Sequence, residues 1–182
     1  MAKVLVPAVQ EASTAKELKD TLWKAADKLR GSMDASQYKD VVLGLVFLKY
    51  VSDAFDERRE AIRAELAGED ESFISETLED PDEYHGSGVF WVPSEARWGY
   101  IARFAKGLPA SSSSDSKSVG ELIDAAMNGL MSHNESLVGT LPMMFGRDNV
   151  DQRRLGELVD LFNSARFSGN GASKARDLLG EV

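Results

Sequence analysis

A chain of 182 residues with 43% apolar and 28% charged residues suits one domain, or one domain with tails, around a sizeable core. Cysteine is absent, which excludes a disulfide framework and thiolate metal sites and fits a cytoplasmic location. The net charge of −9 is concentrated: nine of the 30 acids lie between Glu65 and Glu83 without a Lys or Arg among them, and the other 21 match the 21 bases, so the global charge does not exclude a local DNA-facing surface.

Residues 1–12 read as a flexible N-terminal arm. They lack the long apolar core of a signal peptide. Thr14 with Glu17 forms a capping-box pattern, after which Leu18, Leu22, Ala25, Ala26 and Leu29 share one helical face until Gly31. Asp34 with Gln37 repeats the pattern and opens a second helix to about Leu66. Its first half is apolar nearly all round and belongs in the middle of a bundle, whereas its second half, DERREAIRAEL, should emerge into solvent. The apolar run Val41–Leu48 ends at Lys49 and is far short of the ~20 residues that span a bilayer. Gly44 within it costs roughly 1 kcal/mol relative to alanine, which a close crossing by another helix would explain.

Ser72–Leu78 reads as a short helix closed off by Pro81, with the acidic residues around it a solvated surface. Val89–Val92, β-branched and aromatic between glycines and Pro93, reads as an extended segment or short strand. Ser94 should cap a helix to about Lys106, and the serine-rich loop 108–118 follows. Ser118 with Glu121 is a third capping box, opening a helix with Leu122, Ile123, Ala126, Leu130 and Met131. Asn149 or Asp151 opens another with Leu155, Leu158, Val159 and Phe162. SGNGAS is a turn, and KARDLLGEV starts a helix that the chain does not finish, as expected at a fragment boundary. The fold class expected is mainly α, a helical bundle with at most a short β element around 89–92.

No catalytic constellation is visible. Gly169–Ala172 (GNGA) superficially resembles a nucleotide loop, but it follows a helix and not the strand such a loop requires. His85 and His133 are far apart in sequence and read as surface or hydrogen-bonded histidines more readily than as metal ligands. Nothing in the sequence buries Asp80 and Asp82, so nothing makes them an acid–base pair. Phe90–Trp98 (FWVPSEARW) gathers two tryptophans, a phenylalanine and Arg97. It is either an aromatic–arginine surface for a partner or DNA, or a core hairpin pinned by large aromatics, and the core reading is favoured. Arg97, Arg153 and Arg154 are the candidate partner or DNA surface.

Leu22-Trp23 with Ala26, Leu29 and Arg30 comes first, followed by Tyr38-Lys39 and LGLVFLKYVSD (Leu43–Asp53). Trp91-Val92-Pro93 with Ala96-Arg97-Trp98, then DQRRLGELVDLF (Asp151–Phe162), and finally DLLGEV (Asp177–Val182) complete the series. This ordered set resembles the N-terminal helical domain of the modification subunit (HsdM) of type I restriction–modification systems, over essentially 14–182. The acidic segment and the serine loop fall outside the resemblance. The resemblance implies residues 13–182 as one helical domain, with a catalytic domain downstream that binds S-adenosylmethionine and methylates adenine N6. No catalytic, cofactor-binding or metal-binding residue carries over, and none of the five asparagines precedes a proline as the family's catalytic motif requires. The 182-residue chain is therefore expected to be inactive by itself. It implies as partners a specificity subunit, a second modification subunit, a restriction subunit and double-stranded DNA held through the assembly, with no membrane. The alternative is a stand-alone helical adaptor with no methyltransferase attached.

Overall fold

The computed structural model describes residues 15–105 and 117–166. The arm, Thr14 of the first capping box, most of the serine loop, the GNGA turn and the Leu-Gly-Glu-Val run lie outside the described residues. Among the described residues there are seven α-helices and no strand.

Helix α1 (Ala15–Leu29) buries Leu18, Leu22, Ala25, Ala26 and Leu29 on one side, as their spacing predicts. Gly31, with φ +82°, turns the chain into α2 (Ala35–Glu65). Asp34 occupies the N-cap position of α2, but its side chain makes no cap hydrogen bond, so the expected second capping box does not form. Val41, Val42, Leu45, Val46, Leu48, Val51 and Phe55 are all buried, which sets α2 through the centre of the molecule. A Cβ on Gly44 would lie 2.6 Å from Phe145 Cζ and 3.2 Å from Pro142 Cγ. The close approach is therefore real, but it comes from the loop after α6 and not from another helix.

The charged second half of α2 is less solvated than its composition implies. Ile62 is buried under α3 (Glu71–Leu78), and Arg58 and Arg59 are half-buried. Asp70 caps α3 by accepting from the Ser72 amide, and α4 (Asp82–His85) follows Pro81. The extended segment Val89–Val92 joins no strand. Its centre is held by one side chain: Asn134 Oδ1 accepts from Trp91 N at 3.0 Å, and Asn134 Nδ2 donates to Trp91 O at 2.9 Å and Leu130 O at 2.8 Å. The carboxamide satisfies the donor and acceptor that a neighbouring strand would have met.

Ser94 opens only a 3-10 turn (Ser94–Ala96), Arg97 is extended, and α5 spans Trp98–Ala105. The register is set across the core, because Trp98 N donates to Ser52 Oγ of α2 at 2.7 Å. Helix α6 (Val119–His133) begins with the expected capping box: Glu121 N donates to Ser118 Oγ at 3.2 Å, and Ser118 N donates to Glu121 Oε2 at 2.7 Å. A Cβ on Gly120 would fall 1.9 Å from the Phe145 carbonyl oxygen, so only glycine lets the loop close over the start of α6. Asp151 caps α7 (Gln152–Asn163), which packs on α1 and α5 and buries Leu155, Leu158, Val159 and Phe162. No helix among the described residues is long and apolar enough to cross a membrane.

Candidate interaction surface

The three arginines singled out in the sequence fall in two places. Arg97 stands beside the aromatic cluster at the middle of α2. Phe55 and Tyr84 stack with centroids 4.5 Å apart, and Trp91 meets both edge-on at 5.4 and 5.1 Å. The Arg97 guanidinium lies 4.7 Å from the Phe55 ring centre and 6.0 Å from that of Trp91, and its Nε donates to Val92 O at 3.2 Å. Its Nη2 is 3.6 Å from Glu79 Oε2, inside ion-pair range but beyond a hydrogen bond. The side chain is 23% exposed. It thus ties the extended segment to α2 and to the end of α3. Trp91 and Trp98 are both buried core groups and Phe90 is partly buried against the core, although the segment forms no hairpin. Tyr84 Oη donates to Leu78 O at 2.8 Å, and burial raises its pKa above the usual tyrosine value.

Arg153 and Arg154 come together at the start of α7, beside the end of α1. Arg153 is 83% exposed, with Nε 3.8 Å from Glu157 Oε1. Arg154 turns inward: Nη1 donates to the Lys28 carbonyl, and Nε sits 3.6 Å from Asp151 Oδ2. Lys28 Nζ closes the cluster 3.2 Å from Glu157 Oε2. Arg153 therefore presents charge to solvent, whereas Arg97 and Arg154 spend theirs on backbone carbonyls and neighbouring carboxylates.

The structure also brings together residues that the sequence kept apart. His85 and His133 line one open cleft of about 750 Å³ with Phe90, Asn134 and Glu135. Both Asn134 Nδ2 hydrogens go to carbonyls, so Oδ1 is the acceptor and His85 Nε2, at 3.0 Å, donates. His133 Nδ1 lies 2.8 Å from Gly129 O, which requires a proton on that nitrogen. Among the described residues no three or more His, Cys, Asp or Glu side chains are grouped to hold a metal. Asp80 accepts from the Asp82 amide at 3.0 Å, a turn contact and not a shared proton.

Two polar features escaped the sequence. Lys49 and Asp53 form a buried ion pair inside α2, with side chains 7% and 10% exposed, and Lys49 Nζ lies 5.8 Å from the Trp98 ring centre. Partial desolvation, and then repulsion from Asp53, raises the pKa of nearby Asp56 against the opposing pull of Arg97 and Lys49. The i,i+4 spacing of Lys49 and Asp53 was the available signal for the pair. Asn134, a lone asparagine after a helix, offered none.

The family model of the HsdM N-terminal domain matches residues 18–162. A methylase subunit of Methanocaldococcus jannaschii, "Type I restriction enzyme MjaIX methylase subunit", is 32% identical over 174 residues, covering 91% of this chain and 29% of the relative. The chain thus spans under a third of that curated relative's length. The matched span runs from the first turn of α1 to the last turn of α7, nearly all of the packed body described above.

Proposed function

Because the chain belongs to the HsdM N-terminal domain family, we propose that it is the non-catalytic front of a type I restriction–modification methylase subunit whose chemistry lies in a longer parent. In this reading residues 1–12 are an arm and 13–182 the domain. The parent binds S-adenosylmethionine and methylates adenine N6, in the cytoplasm. The domain supports assembly with a specificity subunit, a second modification subunit and a restriction subunit, and helps close that assembly around double-stranded DNA. The observation that carries the reading is the family match across α1–α7, on a chain that aligns with 29% of a methylase subunit.

Physically, the domain offers helix faces to protein and scattered cations to phosphate without reading bases. Arg153 is the best placed of the three arginines for such a contact, since its charge already reaches solvent. Arg154 would serve the same surface by holding the Lys28 backbone beside it, whereas Arg97 lies elsewhere, against Phe55 and Val92.

The test is deletion of residues 1–166 from the parent. Calorimetry should show S-adenosylmethionine binding retained, while gel filtration with the specificity subunit and duplex DNA shows the complex lost. Micromolar cofactor binding by the 182-residue chain itself, or a complex that survives the deletion, overturns the reading.

A further inference from the structure

The end of α2, α3 and the Pro81 turn enclose an open groove of about 700 Å³. Its floor is apolar, formed by Ile62, Leu66, Phe73 and Pro81, and Phe73 is 51% exposed. Its rim carries Glu65, Glu76, Glu79, Asp80 and Glu83. Two arginines of α2 fix this rim from beneath. Arg58 Nη1 lies 2.9 Å from Glu65 Oε1, Nη2 lies 3.7 Å from Glu83 Oε2, and Nε donates to Glu83 O at 3.2 Å. Arg59 Nη2 lies 2.9 Å from Glu79 Oε1, and Nη1 donates to Leu78 O at 3.0 Å. These contacts hold the walls in place and satisfy three of the five rim acids. Glu76 and Asp80 have no cation within ion-pair range among the described residues.

We propose that this groove docks a basic segment of a protein partner. An apolar side chain of that segment seats on Phe73 and Leu66, and a flanking lysine or arginine reaches Glu76 and Asp80. The inference rests on the assembly reading above and names the chemistry of one contact within it. Charge selects the occupant. Nucleic acid would bring phosphate against the most acidic stretch of the chain. A second copy docked isologously would set the same acids against each other. The apolar floor distinguishes the groove from a merely acidic surface, because it rewards a partner that buries carbon as well as charge. The prior fixing of the walls by Arg58 and Arg59 lowers the ordering cost of docking.

The experiment is fluorescence anisotropy of the 182-residue chain with a fluorescein-labelled nine-residue peptide of alternating lysine and leucine. Saturable binding is expected. Glu76→Lys should weaken it about tenfold, since it reverses an unpaired rim charge. Phe73→Ser should weaken it about fivefold through lost apolar contact. Both residues are exposed, so circular dichroism should report an unchanged fold for both variants. An all-lysine peptide of equal length should bind about fivefold more weakly despite its larger charge. Equal binding of the two peptides, indifference to Glu76→Lys, or competition by duplex DNA overturns the proposal. So does a concentration-dependent dimer, seen in sedimentation, that Phe73→Ser abolishes. Loss of the complex on domain deletion with no peptide binding here would overturn the groove and leave the assembly reading standing.

Discussion

Lys49 ends the apolar run of α2 in the sequence, yet its ammonium is buried against Asp53. A pair of this kind contributes little against an apolar pair of similar volume, but losing one partner strands the other charge. Lys49→Met should therefore cost about 3–5 kcal/mol in denaturant unfolding, and Lys49→Met/Asp53→Leu should recover most of it. A double variant as unstable as the single one would show that the pair is not the source of the cost. Single residues were the least legible level of the sequence. Gly44 advertised a close approach, but nothing near it named Phe145 as the group that approaches. Arg97 stood among aromatics in the sequence, and its direction, inward over Phe55 and toward Glu79, depended on helices distant in the chain.

At the scale of elements, α2 organises the rest, and the capping pattern at Asp34 with the all-round apolar half after it was enough to find it. Leu48 is fully buried in its apolar half. Leu48→Ala should cost about 2–5 kcal/mol through lost transfer energy and the cavity left behind. A melting temperature unchanged within error would put the core elsewhere. Helix starts were legible where a side chain nearby in sequence makes the cap, as at Ser118–Glu121 and Asp151, and illegible where the cap comes from afar, as Ser52 does for Trp98. The Ser118 amide, then its hydroxyl, holds the Glu121 pKa below the usual glutamate value. A depressed carboxylate pKa contributes stability that is present above the unfolded value and is lost as pH falls through the folded one. The stability difference between the parent chain and Glu121→Gln should thus shrink on acidification below the ordinary glutamate range. A difference that is constant with pH would mean the carboxylate charge is not what the cap uses. The segment Val89–Val92 was legible as extended, but not as strandless. Its composition fits a sheet, and only the fold reveals that a single asparagine replaces the neighbouring strand.

For the whole molecule, the sequence carried the helical class and the family resemblance, because both rest on long-range order of apolar positions and short motifs. It did not carry the placement of charge. The acidic stretch read as a solvated face, and its nine acids are exposed, but its partners were not legible. In the structure it folds back onto Arg58, Arg59, Arg63 and Arg97, with five ion pairs linking those arginines to Glu65, Glu71, Glu79 and Glu83. The α3–α4 end is thereby acidic at its surface, while the exposed cation Arg153 lies on α7, which packs on α1 and α5. On the proposed function, a domain so arranged would contribute to DNA binding through effective concentration, held near the duplex by its assembly, and not through affinity of its own. Fluorescence anisotropy of the 182-residue chain with unrelated duplexes at two salt concentrations tests this most directly. Binding should be weak, indifferent to sequence, and fade toward physiological salt with a shallow slope. Tight, sequence-selective binding by the chain alone would contradict it, because the domain would then read DNA itself.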